Sequence, residues 1–308
     1  MNDVKILTID SDLGAGVKGA KLGPSEILKI LQKQQHKLGS VNAYNIIAEP
    51  NTDDDENFEF AKNISAIVRV QKNIVNAVQQ ILKENSFPLI ISGDHSNGAG
   101  AIAAVKDFYP DKKIGVIWID AHADLHTPYT TPSGNVHGMP LAVSLGIGKS
   151  RDAKNKIQKT EEEFWFEMQK LGSNKIAPKI SPKDLVFIGI RDLEPEEQNI
   201  IINNNIKCFK VDEVRTDLKN VVNNTLNHLA HCDYILVSFD VDSLDPSVSS
   251  GTGTPVPIGL KLDDALFLLK SFLENKKILA LEITEVNPIL DRINPMEIIA
   301  ASLLMELF

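Results

Sequence analysis

Short apolar, β-branched runs alternate along this chain with longer segments whose apolar residues recur at i, i+3 and i+4. The first kind reads as strands and the second as amphipathic helices, because side chains repeat every two residues in a strand and every 3.6 in a helix. Eight runs predict strands: Val4–Ile9, Ala43–Ala48, Pro88–Ser92, Gly115–Ile119, Leu185–Gly189, Lys207–Lys210, Tyr234–Ser238 and Ile278–Ile283. Helices are predicted over GPSEILKILQKQ, ISAIVRVQKNIVNAVQQILKE, KLDDALFLLKSFLEN and the closing PMEIIAASLLMELF. Pro24 suits a first helical position, where a missing N–H costs nothing. Asp263 suits a first turn, beside the positive end of the helix dipole. Strands alternating with helices predict an α/β fold, with a mostly parallel central sheet and helices on both faces. A charged insertion, KSRDAKNKIQKTEEEFW, leads into a further helix. Neither an internal repeat nor a Gly/Ser linker divides the chain, so residues 1–308 are expected to form one three-layer domain.

Three of the strands end in ionisable residues. VIWIDAHADLHTPYT places Asp120, His122, Asp124 and His126 at every second position, which in a strand is one face. YILVSFDVDSLDP ends in Asp240 and Asp242, and FPLIISGDHSNGAG in Asp94 and His95, before a Gly/Ala-rich segment expected to open a helix. A lone D-x-D is more often a polar strand end or a cap than a site. Three occurrences at one edge are different, because open α/β sheets bind ligands beyond the carboxyl ends of their strands. That edge would gather His95, Asp120, His122, Asp124, Asp240 and Asp242. Its four carboxylates repel one another unless cations sit among them. Two divalent ions match their charge, and two neutral imidazoles add ligands without adding charge. An oxygen-rich set with a minority of histidine suits Mn²⁺ better than the thiolate-rich sites of structural Zn²⁺. Two metals bridged by carboxylates, about 3.5–4 Å apart, lower the pKa of a shared water from about 15.7 to about 7. The chemistry implied is attack by hydroxide on an electrophilic carbon or phosphorus.

Composition narrows the partners. The 308 residues are 43% hydrophobic and 24% charged, which is ordinary for a globular protein. A formal charge of −9 argues against nucleic acid and is compatible with a small cationic substrate. Cys208 and Cys232 show no pairing pattern, which points to core thiols in a reducing compartment. MNDVKILTID lacks a secretory apolar core and no run is long enough to span a bilayer, so a cytoplasmic protein without membrane contact is expected. Gly14-x-Gly16-x-x-Gly19 follows a strand as a dinucleotide loop does, but Ser11–Leu13 intervene and Pro24 sets the helix start later. The loop is therefore expected to line the site mouth. His36, His228 and His231 have no partners at ligand spacing and are assigned solvated or capping roles. DDDEN at 53–57 lacks the glycine and closing Glu of a calcium loop and reads as a solvated turn.

In order along the chain, GDHS, DAHAD, SGNVHGMP, SFDVDSLDP, GTGTP and EITEVNP resemble the signature set of the ureohydrolase family. TPSGNVHGMP and IGIRDLEPEE are most similar to its arginases. The resemblance implies that His95, Asp120, Asp124 and Asp242 or Asp240 share two Mn²⁺ ions, with His122 completing the shell of the second. It implies that His137, titrating near neutrality, is the mobile general acid/base, that Asp124 carries a proton to the departing amine, and that Glu285 pairs with a substrate guanidinium beside Thr254. Ser133 and Asn135 would grip an amino acid's carboxylate end and Glu194 its α-amino group. His126, where many arginases have Asn, would be a further substrate contact. The implied reaction is hydrolysis of L-arginine to L-ornithine and urea by a metal-bridging hydroxide, in a homo-oligomer, trimer or hexamer. The alternatives are an agmatinase or another guanidino or formimino hydrolase, or a metal-binding regulatory protein without turnover.

Overall fold

The computed structural model of the chain describes residues 3–49 and 58–308, so the acidic turn at 53–57 lies outside the described residues. The strands are β1 (Val4–Asp10), β2 (Tyr44–Ile47), β3 (Phe87–Ser92), β4 (Ile114–Ile119), β5 (Leu185–Ile188), β6 (Lys207–Phe209), β7 (Tyr234–Asp240) and β8 (Ile278–Thr284). They form one sheet in the order β2-β1-β3-β8-β7-β4-β5-β6, parallel throughout. Each expected run is a strand. The largest boundary difference is at β7, which continues two residues beyond its apolar stretch and so takes in Asp240.

Alternate strand residues feed two cores. Ile117 and Ile119 pack on one face with Ile27, Leu31, Leu268 and Phe272, from helices Gly23–Lys33 and Leu262–Leu273. Val116 and Trp118 pack on the other with Ile74, Val78 and Ile102, from helices Ile64–Lys83 and Gly98–Phe108. The result is the three-layer α/β arrangement. Burying a branched or aromatic side chain contributes about 1.5–3 kcal/mol. A strand covered on both sides gains this at every position, and β3 and β4 are buried at every residue.

Pro24 is the second residue of its helix, and Asp263 lies in the first turn of helix Leu262–Leu273. Gly14, Gly16 and Gly19 all precede the short turn Ala20–Leu22, ahead of that first helix, so they cannot bring a helix N-terminus to a pyrophosphate. Both cysteines are free, with Cys232 buried and Cys208 half-buried; burial pushes their thiols up to about 12 and about 11. Among the described residues no helix is long and apolar enough to cross a membrane.

Candidate active site

Five adjacent strands, β3-β8-β7-β4-β5, send their carboxyl ends to one edge of the sheet, and the candidate residues follow them there. The local geometry differs from the one-faced strand inferred for 120–126. β4 stops at Ile119, and Asp124 has φ of 53°, so these residues turn out of the sheet. Their two-residue spacing has another origin. Asp120 Oδ1 accepts the His122 backbone N–H at 2.7 Å, and Asp240 Oδ1 accepts that of Asp242 at 2.8 Å. An aspartate bonded to the backbone two residues on is an Asx turn. Asp242 Oδ1 in turn accepts the Ala121 N–H at 3.2 Å, which ties the β7 end to the β4 end.

The donors form two sets, with Asp120 Oδ1 belonging both to its turn and to the second set. His95 Nδ1 faces Oδ2 of Asp120, Asp124 and Asp240 at 3.0, 3.1 and 3.1 Å. His122 Nδ1 faces Asp242 Oδ2 at 3.0 Å and Asp120 Oδ1 at 3.5 Å. Asp120 is common to both. Of the pair Asp240 and Asp242, Asp240 faces His95 and Asp242 faces His122. His95 Nδ1, Asp120 Oδ2 and Asp124 Oδ2 are buried and lack hydrogen-bond partners. One ring nitrogen cannot donate to three carboxylates, whereas a cation placed among four donors satisfies all of them.

The outer contacts of His95 agree with that reading. Its Nε2 lies 2.8 Å from Ser238 Oγ, and the Ser238 hydroxyl donates to Glu282 Oε2 at 2.9 Å. Nε2 therefore carries the proton and Nδ1 presents its lone pair, the tautomer a metal ligand needs. The ring stacks on Trp118 with centroids 3.9 Å apart. Burial together with repulsion from Asp120 pushes the Asp124 carboxyl up to about 6, and burial with repulsion from Asp242 and Asp120 raises Asp240. Burial opposes ionisation of Asp120 too, but His122 and His95 outweigh it and lower its pKa.

His137 and Glu285 meet beside these sets. The Glu285 carboxylate accepts the His95 backbone N–H at 3.0 Å, and the same oxygen lies 3.0 Å from His137 Nδ1. Burial lowers the basicity of His137, but Glu285 outweighs it and raises the ring to about 9. Contact with the buried Glu285 carboxylate thus favours the protonated ring. Glu285 has φ of 64°, a conformation costly for a residue without glycine's freedom and one that clusters at functional sites. The shift has a stability consequence. The His137–Glu285 contribution is fully present below the unfolded value of about 6.5 and is lost as pH rises through about 9. In chelator-treated protein, H137N should therefore lower the melting temperature most at about pH 6 and hardly at about pH 10. An equal deficit at both would show that the ion pair is not the source.

His126 stands apart from the two sets. Its Nε2 lies 3.1 Å from Glu194 Oε2 and 3.7 Å from Glu197 Oε2, and its Nδ1 lies 3.3 Å from Thr130 Oγ1. Glu197, not singled out from the sequence, is buried and accepts the backbone N–H of Leu125 and of Glu194, capping helix Pro195–Asn203. Its E-P-E-E context is the signal that could have found it. Thr254 donates to Asp242 Oδ2 at 3.0 Å. A small cavity of about 80 Å³ is lined by residues that include His122, Asp124, His126, His137, Glu194 and Thr254. Ser133 and Asn135 are outside that lining. They sit on the loop entering the turn Val136–Gly138, where Ser133 Oγ accepts the Asn135 N–H at 3.2 Å. Asn135 also packs over Gly16, where a Cβ would come within 2.5 Å of its side-chain nitrogen. The 14–19 loop and the 133–138 loop thus meet at the rim. Arg191, also not anticipated, donates to the backbone carbonyls of Asp242, Ser243 and Val256 and so fixes the Asp242 turn.

Comparison with known proteins agrees with this arrangement. The family model described as "Arginase family" matches residues 2–308. Arginase of Bacillus subtilis (strain 168) is 33% identical over 94% of this chain and 92% of its own length. The crystal structure of Bacillus caldovelox arginase superposes with a TM-score of 0.83 at 31% identity, covering 100% of this chain and 98% of that one. That of Entamoeba histolytica arginase in complex with L-ornithine gives 0.82 at 29% identity, covering 100% and 99%. With a parallel eight-stranded sheet and two sets of histidine and carboxylate donors at its carboxyl edge, this chain belongs to the arginase family.

Proposed function

We propose that the chain hydrolyses L-arginine to L-ornithine and urea at a centre of two Mn²⁺ ions. His95, Asp120, Asp124 and Asp240 would hold one ion, and Asp120, His122 and Asp242 the other. When bound, such ions supply a water of depressed pKa and a positive field at the reacting carbon. The chain's own groups do the rest. Glu285 pairs with the guanidinium, a planar cation that offers only donors. Oxygen from water would add to the guanidinium carbon, the bond to the departing δ-amine would break, and Asp124 would pass that amine a proton. His137, partly open to solvent, restores the proton balance.

One observation favours arginine over its decarboxylated analogue: the paired donor and acceptor at the rim. His126 and Glu194, 3.1 Å apart, offer an imidazole N–H donor and a carboxylate acceptor together. An α-amino acid end carries both complementary groups, whereas agmatine lacks the carboxylate and 4-guanidinobutyrate lacks the amine. Ser133 and Asn135 border the same opening. The test is urea release from these three substrates, with Mn²⁺ and then with a chelator. Arginine is expected to be turned over best and only with metal. Faster release from agmatine would move the assignment to agmatinase, and no release from any would leave a binding protein.

The two classes of histidine separate by substitution. H126N should change KM for arginine with metal content unchanged, because the shorter amide meets the substrate's carboxylate end from a different position. H122N should instead lower bound manganese. Loss of metal from H126N would mean that His126, Glu194 and Glu197, whose ligand atoms also converge, belong to the metal centre.

A further inference from the structure

We propose that Asp184, His231 and Cys232 form a separate metal site, for one borderline divalent cation of the Zn²⁺ class, at the sheet edge opposite the active site. Asp184 immediately precedes β5, and Cys232 lies two residues before β7, so both mark the amino-terminal edge. His231, assigned from the sequence to a solvated or capping role, belongs to this cluster because its partner lies 47 residues away in the chain.

The three ligand atoms converge. Cys232 Sγ is 3.6 Å from His231 Nε2 and 3.8 Å from Asp184 Oδ1, and Nε2 and Oδ1 are 2.6 Å apart. A tetrahedral ion with bonds of about 2.0–2.1 Å to nitrogen and oxygen and about 2.3 Å to sulfur sets its donors roughly 3.3–3.6 Å apart. Both sulfur separations come close to this, and only the nitrogen–oxygen pair has to open.

The surroundings aim each donor inward. His231 Nδ1 lies 3.0 Å from the His228 carbonyl, which only accepts, so Nδ1 carries a proton and Nε2 faces the cluster. Asp184 Oδ2 accepts the Ser181 hydroxyl at 2.5 Å and the Ser181 backbone N–H at 3.1 Å, which leaves Oδ1 for the cluster. Gly115 of β4 leaves room for the sulfur, since a Cβ there would lie 3.1 Å from Sγ. Cys232 is 1% exposed, but the His231 side chain is 34% exposed, which gives a cation an entry and a water the fourth position. Without an ion the cluster has the short His231–Asp184 contact and only long sulfur contacts, at 3.8 Å from the Cys232 thiol to Asp184 Oδ1 and 3.6 Å to His231 Nε2. A dication uses all three: Cys232 releases its proton to the buffer, and thiolate plus carboxylate balance the charge.

Cobalt(II) tests this, because a thiolate-to-cobalt charge-transfer band in the near ultraviolet needs a cysteine ligand and the proposed active site has none. Mn²⁺-loaded protein titrated with Co²⁺ should develop the band to saturation at one ion per chain. One equivalent of Zn²⁺ should bleach it. The band should vanish in C232S and in H231N, whose exposed ring makes misfolding less of a risk, and persist in C208S. Urea release by C232S should be unchanged. No band in the wild-type protein, or one that survives C232S and is lost in C208S, overturns the proposal. These readouts do not depend on which guanidino substrate the enzyme takes.

Discussion

Replacing Asp120 by alanine is expected to abolish urea release from arginine and, on the reading proposed above, to strip the protein of both metal ions. Asp120 is the only one of the four clustered carboxylates that stands beside both imidazoles, with Oδ2 near His95 Nδ1 and Oδ1 near His122 Nδ1. Asp240 and Asp242 each face one imidazole, so D240A and D242A should chiefly lose one ion apiece. Metal content after gel filtration, measured beside urea release, separates the cases. D120A that kept one tightly held ion, with D240A losing both, would place the shared carboxylate elsewhere.

Glu285→Gln should be nearly as damaging for a different reason. The amide preserves shape and can still accept from the His95 backbone N–H, but it removes the negative charge that faces His137 and, on our reading, the guanidinium. Breaking one partner of a buried charge pair costs about 3–5 kcal/mol. At about 1.4 kcal/mol per decade, kcat/KM for arginine should fall by roughly 10²–10⁴-fold. Manganese content should stay at the wild-type value, since Glu285 faces neither His95 Nδ1 nor His122 Nδ1. Unchanged kinetics would remove Glu285 from the substrate, and lost metal would place it in the metal centre.

The inner strands β3, β4 and β5 were readable because each is apolar nearly along its length, as parallel strands covered on both faces must be. Asp120, His122, Asp240 and His95 were readable because their strands end just before or at them. Less visible was the helix Pro195–Asn203, whose acidic sequence carries little apolar periodicity. The origin of the every-second spacing was also hidden, because a side chain bonding its own backbone two residues on leaves the same pattern as a pleat. Contacts between distant segments left no local signature at all: Glu282 behind Ser238, and Asp184 beside His231. His137 was found by its motif, but its basicity depends on Glu285, 148 residues further on.

The carboxylates tied down by backbone N–H groups bear on which ion the centre selects. Oδ1 of Asp120, Asp240 and Asp242 is each fixed to the main chain. Long, freely rotating ligands adapt to ions of many radii, whereas these oxygens can move only as far as the strand ends allow. Selection would then rest on ionic radius, against small ions that demand bonds of about 2.0–2.1 Å and large ones that prefer about 2.3–2.6 Å. Aspartate and glutamate are not interchangeable here. The extra methylene would free the tied oxygen, and a site measured by the backbone would become one that adapts to whatever ion is most abundant.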